Sequence, residues 1–399
     1  MAPRMEPAQP SPIVNRGRII CYRMFDIGDE LVLAEAEELL LRAQVARASM
    51  VMRPPPLRKT GALHVAAVPL HVDVGTRRIV LPAIAHSVLA HVSVNLFDYG
   101  KISIVFEVPI RQGTPLDELR PLCQELYESS VLTKMAEEEC ATYTERVRPV
   151  LRRHTPEAAP LPLPPGTEAP PPRMESFTII FVEEIEGKPQ AKEVLAWAGL
   201  PKLVIGEASE RLLGDKQVRD TMQHTDGYLD NDLVVIDWNS AFVLEPSASR
   251  DIPEILEFAR SMLLQLLVYD DQLDSELREI YQEFSKRRGG ITSIFSSRYR
   301  QLAHDVSARL IEVTEFNERI ENSFKIIGDY YLARIYRTAV SRFGIPVVRE
   351  SVARKHQLVE KVYDMLKGEV ELLRGQALEL TIVLLIIVEV MLGLFGALK

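Results

Sequence analysis

Apolar and polar residues alternate along the first third of the chain in the way of half-buried strands. The alternation is clearest at Ile102, Ile104, Phe106 and Val108, a period of two that predicts a strand. Arg18 to Phe25, His64 to Val74, Arg78 to Leu81 and Ala90 to Phe97 read likewise. Helical spacing predicts helices over Glu30 to Ala48, Pro115 to Ser130 and Leu132 to Leu151. Beyond residue 174, Phe177 to Glu184, Lys202 to Gly206, Leu233 to Asp237 and Ala241 to Leu244 read as strands, with a short helix over Ala191 to Ala198. That order suggests a small open sheet with helices on one face. At Asp251 the pattern becomes helical throughout. Asp251 with Glu254 resembles a capping box and Pro253 sits in the first turn. A long helix should follow to about Arg288, where Gly289 and Gly290 break it.

The next segment steps by three and four through Leu302, Val306, Leu310, Val313, Phe316, Ile320, Phe324 and Ile327. Glu312, Glu315, Glu318 and Arg319 fall outside the seam, which predicts a coiled-coil arm. Phe343 to Pro346 is a turn, and a third helix runs from about Glu350 through Leu358, Val362, Met365 and Leu373. Residues 379–398 are almost wholly apolar, with Glu389 as the interrupting charge. As a helix they would reach across a hydrocarbon core about 30 Å thick. Lys361, Lys367 and Arg374 precede them, so the bulk of the chain should lie on the cytoplasmic side. The fold class expected is therefore α+β: N-terminal mixed α/β units, a long helical, coiled-coil-like region, and one C-terminal transmembrane helix.

Composition sets the boundaries. His154 to Arg173 reads HTPEAAPLPLPPGTEAPPPR, too proline-dense for helix or sheet and best suited to an extended spacer. The division expected is a disordered tail over 1–17, an α+β domain over 18–152, a Pro-rich linker over 153–174, and a small α/β unit over 175–250. The long-helix region then covers 251–378 and the anchor 379–398. A net charge of -9 over 399 residues argues against a general nucleic-acid binder. Cys21, Cys123 and Cys140 are scattered without a C-x-x-C pair, so neither a disulfide framework nor a zinc site is called for, and a reducing compartment fits. Met1 to Arg18 has no apolar core and does not read as a secretory signal.

No constellation for catalysis emerges. Gly206 to Gly214 lacks the Gly-Lys-Ser/Thr ending of a phosphate loop. His224 to Asp232 gathers oxygen ligands but reads as a polar turn, and Asp270 with Asp274 as a solvated or salt-bridged helix face. No metal and no cofactor is expected, and no enzyme. Two features carry more weight. Lys286, Arg287, Arg288, Arg298 and Arg300 make a stretch with five cations and no acid; it would suit anionic lipid head groups or an RNA backbone. Glu389, with Gly393 and Gly396 on the same apolar helix, suggests self-association within a bilayer.

Tyr269 to Asp274, Glu315 to Tyr336 and Leu378 to Val390, with Phe97-Asp-Tyr-Gly100, together resemble the required-for-meiotic-nuclear-division, or YagE-like, family. The match at the C-terminus rests on Leu378, Glu379, Ile382, Leu385, Ile386 and Glu389. The resemblance implies a membrane-anchored protein without known catalysis, at a bacterial inner membrane or, in a eukaryote, the mitochondrial inner membrane. The function expected is a tail-anchored, non-catalytic scaffold that self-associates and assembles a complex at the cytoplasmic face, with the lipid bilayer and a second copy as partners. The alternative is a tether for ribosomes or RNA through residues 286–300.

Overall fold

The computed structural model describes residues 10–28, 30–44, 69–81, 86–152, 173–209, 211–286, 330–362, 379, 381–383 and 385–388. Chain contacts divide the protein into two units: 1–268 with 315–349, and 269–314 with 350–399. The first unit is built on a nine-stranded mixed sheet. Its strands are β1 (Ile13–Asp26), β3 (Leu70–Leu81), β4 (His86–Phe97), β5 (Lys101–Pro109), β6 (Thr114–Pro115), β8 (Met174–Ile185), β9 (Thr225–Asp226), β10 (Leu233–Ile236) and β11 (Ser240–Leu244). They run in the order β3-β4-β5-β1-β8-β11-β10-β9, with β6 also on β1. All pairs are antiparallel except β11 with β8. A separate two-stranded ribbon joins β2 (Glu30–Leu31) to β7 (Leu151–Arg152).

β1 is the spine of the sheet. It pairs with β5 on one side, Cys21 opposite Phe106, and with β8 on the other, Cys21 opposite Thr178. Strands on both sides of the proline-rich segment thus share one sheet, although the sequence places them in separate units. Being central and covered on both faces, β1 is buried from Ile19 to Phe25, a near-continuous run rather than an alternating one. It carries a bulge near Gly17, where a Cβ would stand 2.8 Å from the Phe181 carbonyl oxygen; only glycine permits that approach.

Successive side chains point to opposite faces of a strand, so each strand contributes to two layers. Cys21, Phe25, Val92, Val94, Leu96, Ile104 and Phe106 join a core with α1 (Leu33–Gln44), α2 (Arg120–Glu128), α3 (Ser130–Val147) and α5 (Leu200–Ile205). α4 (Ala191–Leu195) closes one end and α6 (Asp215–Met222) follows α5. Buried Arg23 reaches from β1 to the end of α2, where its Nη2 donates to the Leu126 and Tyr127 carbonyls at 2.9 and 3.2 Å. A cation there satisfies carbonyls that the helix leaves open. The other face meets the first half of α7 (Asp251–Lys286) and α8 (Tyr330–Arg342): Asn95 reaches Glu257, and Phe343 stacks edge-on against Phe177 at 5.1 Å. α7 opens with Asp251 and Glu254 in its first turn, which suits the positive end of the helix.

In the second unit, Lys355 holds Asp270 and Asp274 at 2.8 and 2.7 Å. The two aspartates do share a face, as a salt bridge. Ser351 also donates to Asp270.

Several expectations are corrected. Lys202 to Gly206 is not a strand but α5, begun beside Pro201 and ended by Gly206 in the left-handed region at φ 78°. The expected fold class gives way to one large mixed sheet with helices. No coiled coil is present among the described residues, and the heptad segment 302–327 lies outside them. The expected transmembrane helix is likewise overturned: no helix among the described residues is long and apolar enough to cross a membrane. Of that segment, 379, 381–383 and 385–388 are described as helical, with Ile382 and Leu385 more than half exposed.

Candidate functional site

α7 presents a polar stripe to the sheet. Glu257, Arg260, Ser261 and Gln265 are all under 4% exposed, spaced so that they share one side of the helix. Asn95 on β4 donates through Nδ2 to both Glu257 oxygens, at 2.8 and 2.9 Å. Its own oxygen meets His71 Nδ1 at 2.7 Å, which joins the neighbouring strand β3 to the carboxylate. Burial pushes the Glu257 carboxyl up to about 7, against the hydrogen bonds from Asn95 and the charge of Arg250; in a desolvated site the neutral acid is favoured. At Glu107, on the neighbouring strand β5, the balance reverses. Burial would raise Glu107 too, but Arg250 and Arg18 bond to it and hold it below the usual carboxylate range.

One helical turn beyond Glu257, Arg260 lines a cavity of about 530 Å³. Gln124, Tyr127 and Glu128 come from α2, and Met174, Glu175 and Ser176 from the start of β8. The end of α5 supplies Ile205, Gly206 and Glu207, and the β10–β11 turn supplies Trp238 and Asn239. Arg260 is buried among rings: its guanidinium carbon lies 5.4 Å from the Phe343 centroid, 5.9 Å from Phe177 and 6.0 Å from Trp238. Nη1 donates to the Trp238 carbonyl at 2.6 Å and Nη2 to Glu175 Oε2 at 2.7 Å. Nε is buried, with no hydrogen-bond partner among the described residues. Desolvation lowers the Arg260 pKa against the pull of Glu175; an arginine remains charged under that strain.

The cavity wall is set by backbone geometry at Gly206. A Cβ there would come within 2.5 Å of the Tyr127 ring, and the residue is left-handed. The Tyr127 hydroxyl and Ser240 Oγ both donate to the Val204 carbonyl, at 2.9 and 2.6 Å, pinning α5 to α2 and β11. Trp238 sits on the rim, 61% exposed, whereas Trp197 is 4% exposed. The cavity thus brings together a fixed guanidinium, three carboxylates and an exposed indole.

The positions singled out by sequence do not gather here. Lys286 ends α7; Arg287, Arg288, Arg298, Arg300, Glu389, Gly393 and Gly396 lie outside the described residues. In the His224 to Asp232 turn, Asp226 is taken by Arg334 and Asp232 Oδ1 accepts from the Tyr228 and Leu229 N–H groups. Gly206, considered as part of a phosphate loop, ends a helix instead of preceding one. Glu257, Arg260 and Trp238 escaped notice. A signal existed, since four polar residues at helical spacing break an otherwise apolar stretch of α7.

Residues 16–251 match the family described as "Uncharacterized protein MJ0711, N-terminal domain". The chain belongs to this family. The family match therefore spans β1 to the first residue of α7, which includes every cavity residue except Arg260. A relative from Methanocaldococcus jannaschii, the "Uncharacterized protein MJ0711", is 26% identical over 196 residues, 49% of this chain. The matched chain spans 58% of that protein's length. No solved structure matches. These findings correct the resemblance to the required-for-meiotic-nuclear-division family. Its motifs were largely apolar helical positions such as Ile382 and Leu385, which many unrelated helices share.

Proposed function

We propose that the protein is a non-catalytic binding protein that assembles a partner onto its first unit through the Arg260 cavity. The observation that carries this reading is the cavity lining, where Arg260, Glu128, Glu175, Glu207 and the 61% exposed Trp238 converge from five separated segments. An exposed indole beside charged groups is a combination common at recognition sites. Membrane anchoring is no part of this proposal. Nothing among the described residues adds to an RNA reading of residues 286–300, of which Lys286 alone is described.

The test is site-specific photocrosslinking of the full-length protein in cells. A photoreactive side chain at position 238 should capture a discrete species, a second copy of the chain being one outcome. The same group at Val80, 60% exposed on the edge strand β3, should not capture it. Identical products from both positions would refute the assignment.

A further inference from the structure

The charge on the cavity selects among ligands. Three carboxylates, Glu128, Glu175 and Glu207, face one guanidinium, Arg260, which leaves the lining two negative charges in excess. Glu175 is engaged by Arg260. Glu207 is kept ionised by hydrogen bonds from Ser209, with Lys202 and Arg211 as nearby cations. A phosphate or an acidic peptide would meet net repulsion here. A neutral heteroaromatic ring would use Trp238 but leave the excess charge unanswered.

A basic polypeptide answers both the exposed indole and the excess negative charge. A Lys or Arg head group is drawn to an exposed indole, an attraction of about 0.5–1 kcal/mol at such sites. Carboxylates beside the ring add to it. Resting on the binding role proposed above, we infer that the cavity takes a Lys or Arg side chain of a partner polypeptide. The head group sits between the Trp238 ring and the carboxylates of Glu128 and Glu207. The net charge of -9 on the whole chain favours approach of such a partner.

Native tryptophan fluorescence of the full chain reads this directly, since Trp238 is the exposed one of two tryptophans. The probes are a capped Gly/Arg peptide, the same peptide with Gln for Arg, the same with Glu, and guanosine. The Arg peptide should perturb the emission saturably, and the other three should not. Glu128→Gln/Glu207→Gln should weaken its binding roughly tenfold. The control Glu137→Gln/Glu138→Gln, which removes two exposed charges from α3, should leave binding unchanged. Equal binding by both double variants would overturn the inference, because the peptide would then be responding to overall charge. Trp238-dependent binding of guanosine or the Glu peptide would overturn the ligand class and leave the cavity as a recognition site. No binding by any probe, with no specific crosslink at position 238, would remove the proposed function itself.

Discussion

Replacing Glu257 with Gln isolates one buried charge while keeping the shape of the side chain. In the folded protein the carboxyl titrates at about 7, against an ordinary value of 4.5. Folding thus favours the protonated form. The stabilisation that this proton provides is fully present below pH about 4.5, and it is lost as the pH rises through about 7. At roughly 1.4 kcal/mol per tenfold step in acidity, the gap amounts to about 3 kcal/mol. The Gln variant cannot ionise, and its oxygen can still accept from Asn95 Nδ2. Near pH 4.5 the two proteins should therefore have similar stability. By pH 8 the variant should be the more stable by about 3 kcal/mol. Carboxylates such as Glu107 shift in the opposite direction, but they are common to both proteins and cancel in the difference. Urea denaturation at four pH values between 4.5 and 8.5 measures it. A difference that stays constant across that range would refute the account of a desolvated, titrating Glu257.

Other consequences are as direct. Gly206→Ala forces a Cβ onto the Tyr127 ring in a left-handed backbone, and should cost about 2 kcal/mol or more in chemical denaturation. Arg260→Ala leaves Glu175 without its partner and empties a ring-lined space; a loss of about 3 kcal/mol is expected, again by denaturant midpoint. Burial pushes Cys21 and Cys140 up to about 11, and Cys123 further still. A thiol-exchange reagent at pH 8 should accordingly leave all three unmodified in the native protein and titrate three per chain in denaturant.

Strands were legible where apolar residues recur at every second position. Ile102, Ile104, Phe106 and Val108 do so and β5 lies there, although both of its faces are buried from Lys101 to Phe106. Pairing was not legible, because a period of two says which face a residue takes and nothing about its neighbour. The union of β1 with β8 across the proline-rich segment is a fact of register alone. α5 was misread because Val204 and Ile205 favour strands. The stronger cues were Pro201 near its start and Gly206 at its end, an asymmetry typical of helices. The apolar C-terminal run was weighed by hydropathy alone, and the described helices give it no span. The cavity was hidden for a different reason: its lining comes from five separated segments, and no local pattern announces their meeting.

The central position of β1 also sets an order of events during synthesis. β1 is complete at Asp26, yet one of the two long strands beside it, β8, ends at Ile185. A ribosome adding about 5–20 residues per second needs on the order of ten seconds or more to bridge that interval. Through that time the nascent chain carries a strand with half of its hydrogen-bonding edge unmet and an apolar face uncovered. The Val14 to Ile185 register is a long-range contact that cannot close early. Newly made chains should therefore depend on chaperones until β8 has emerged.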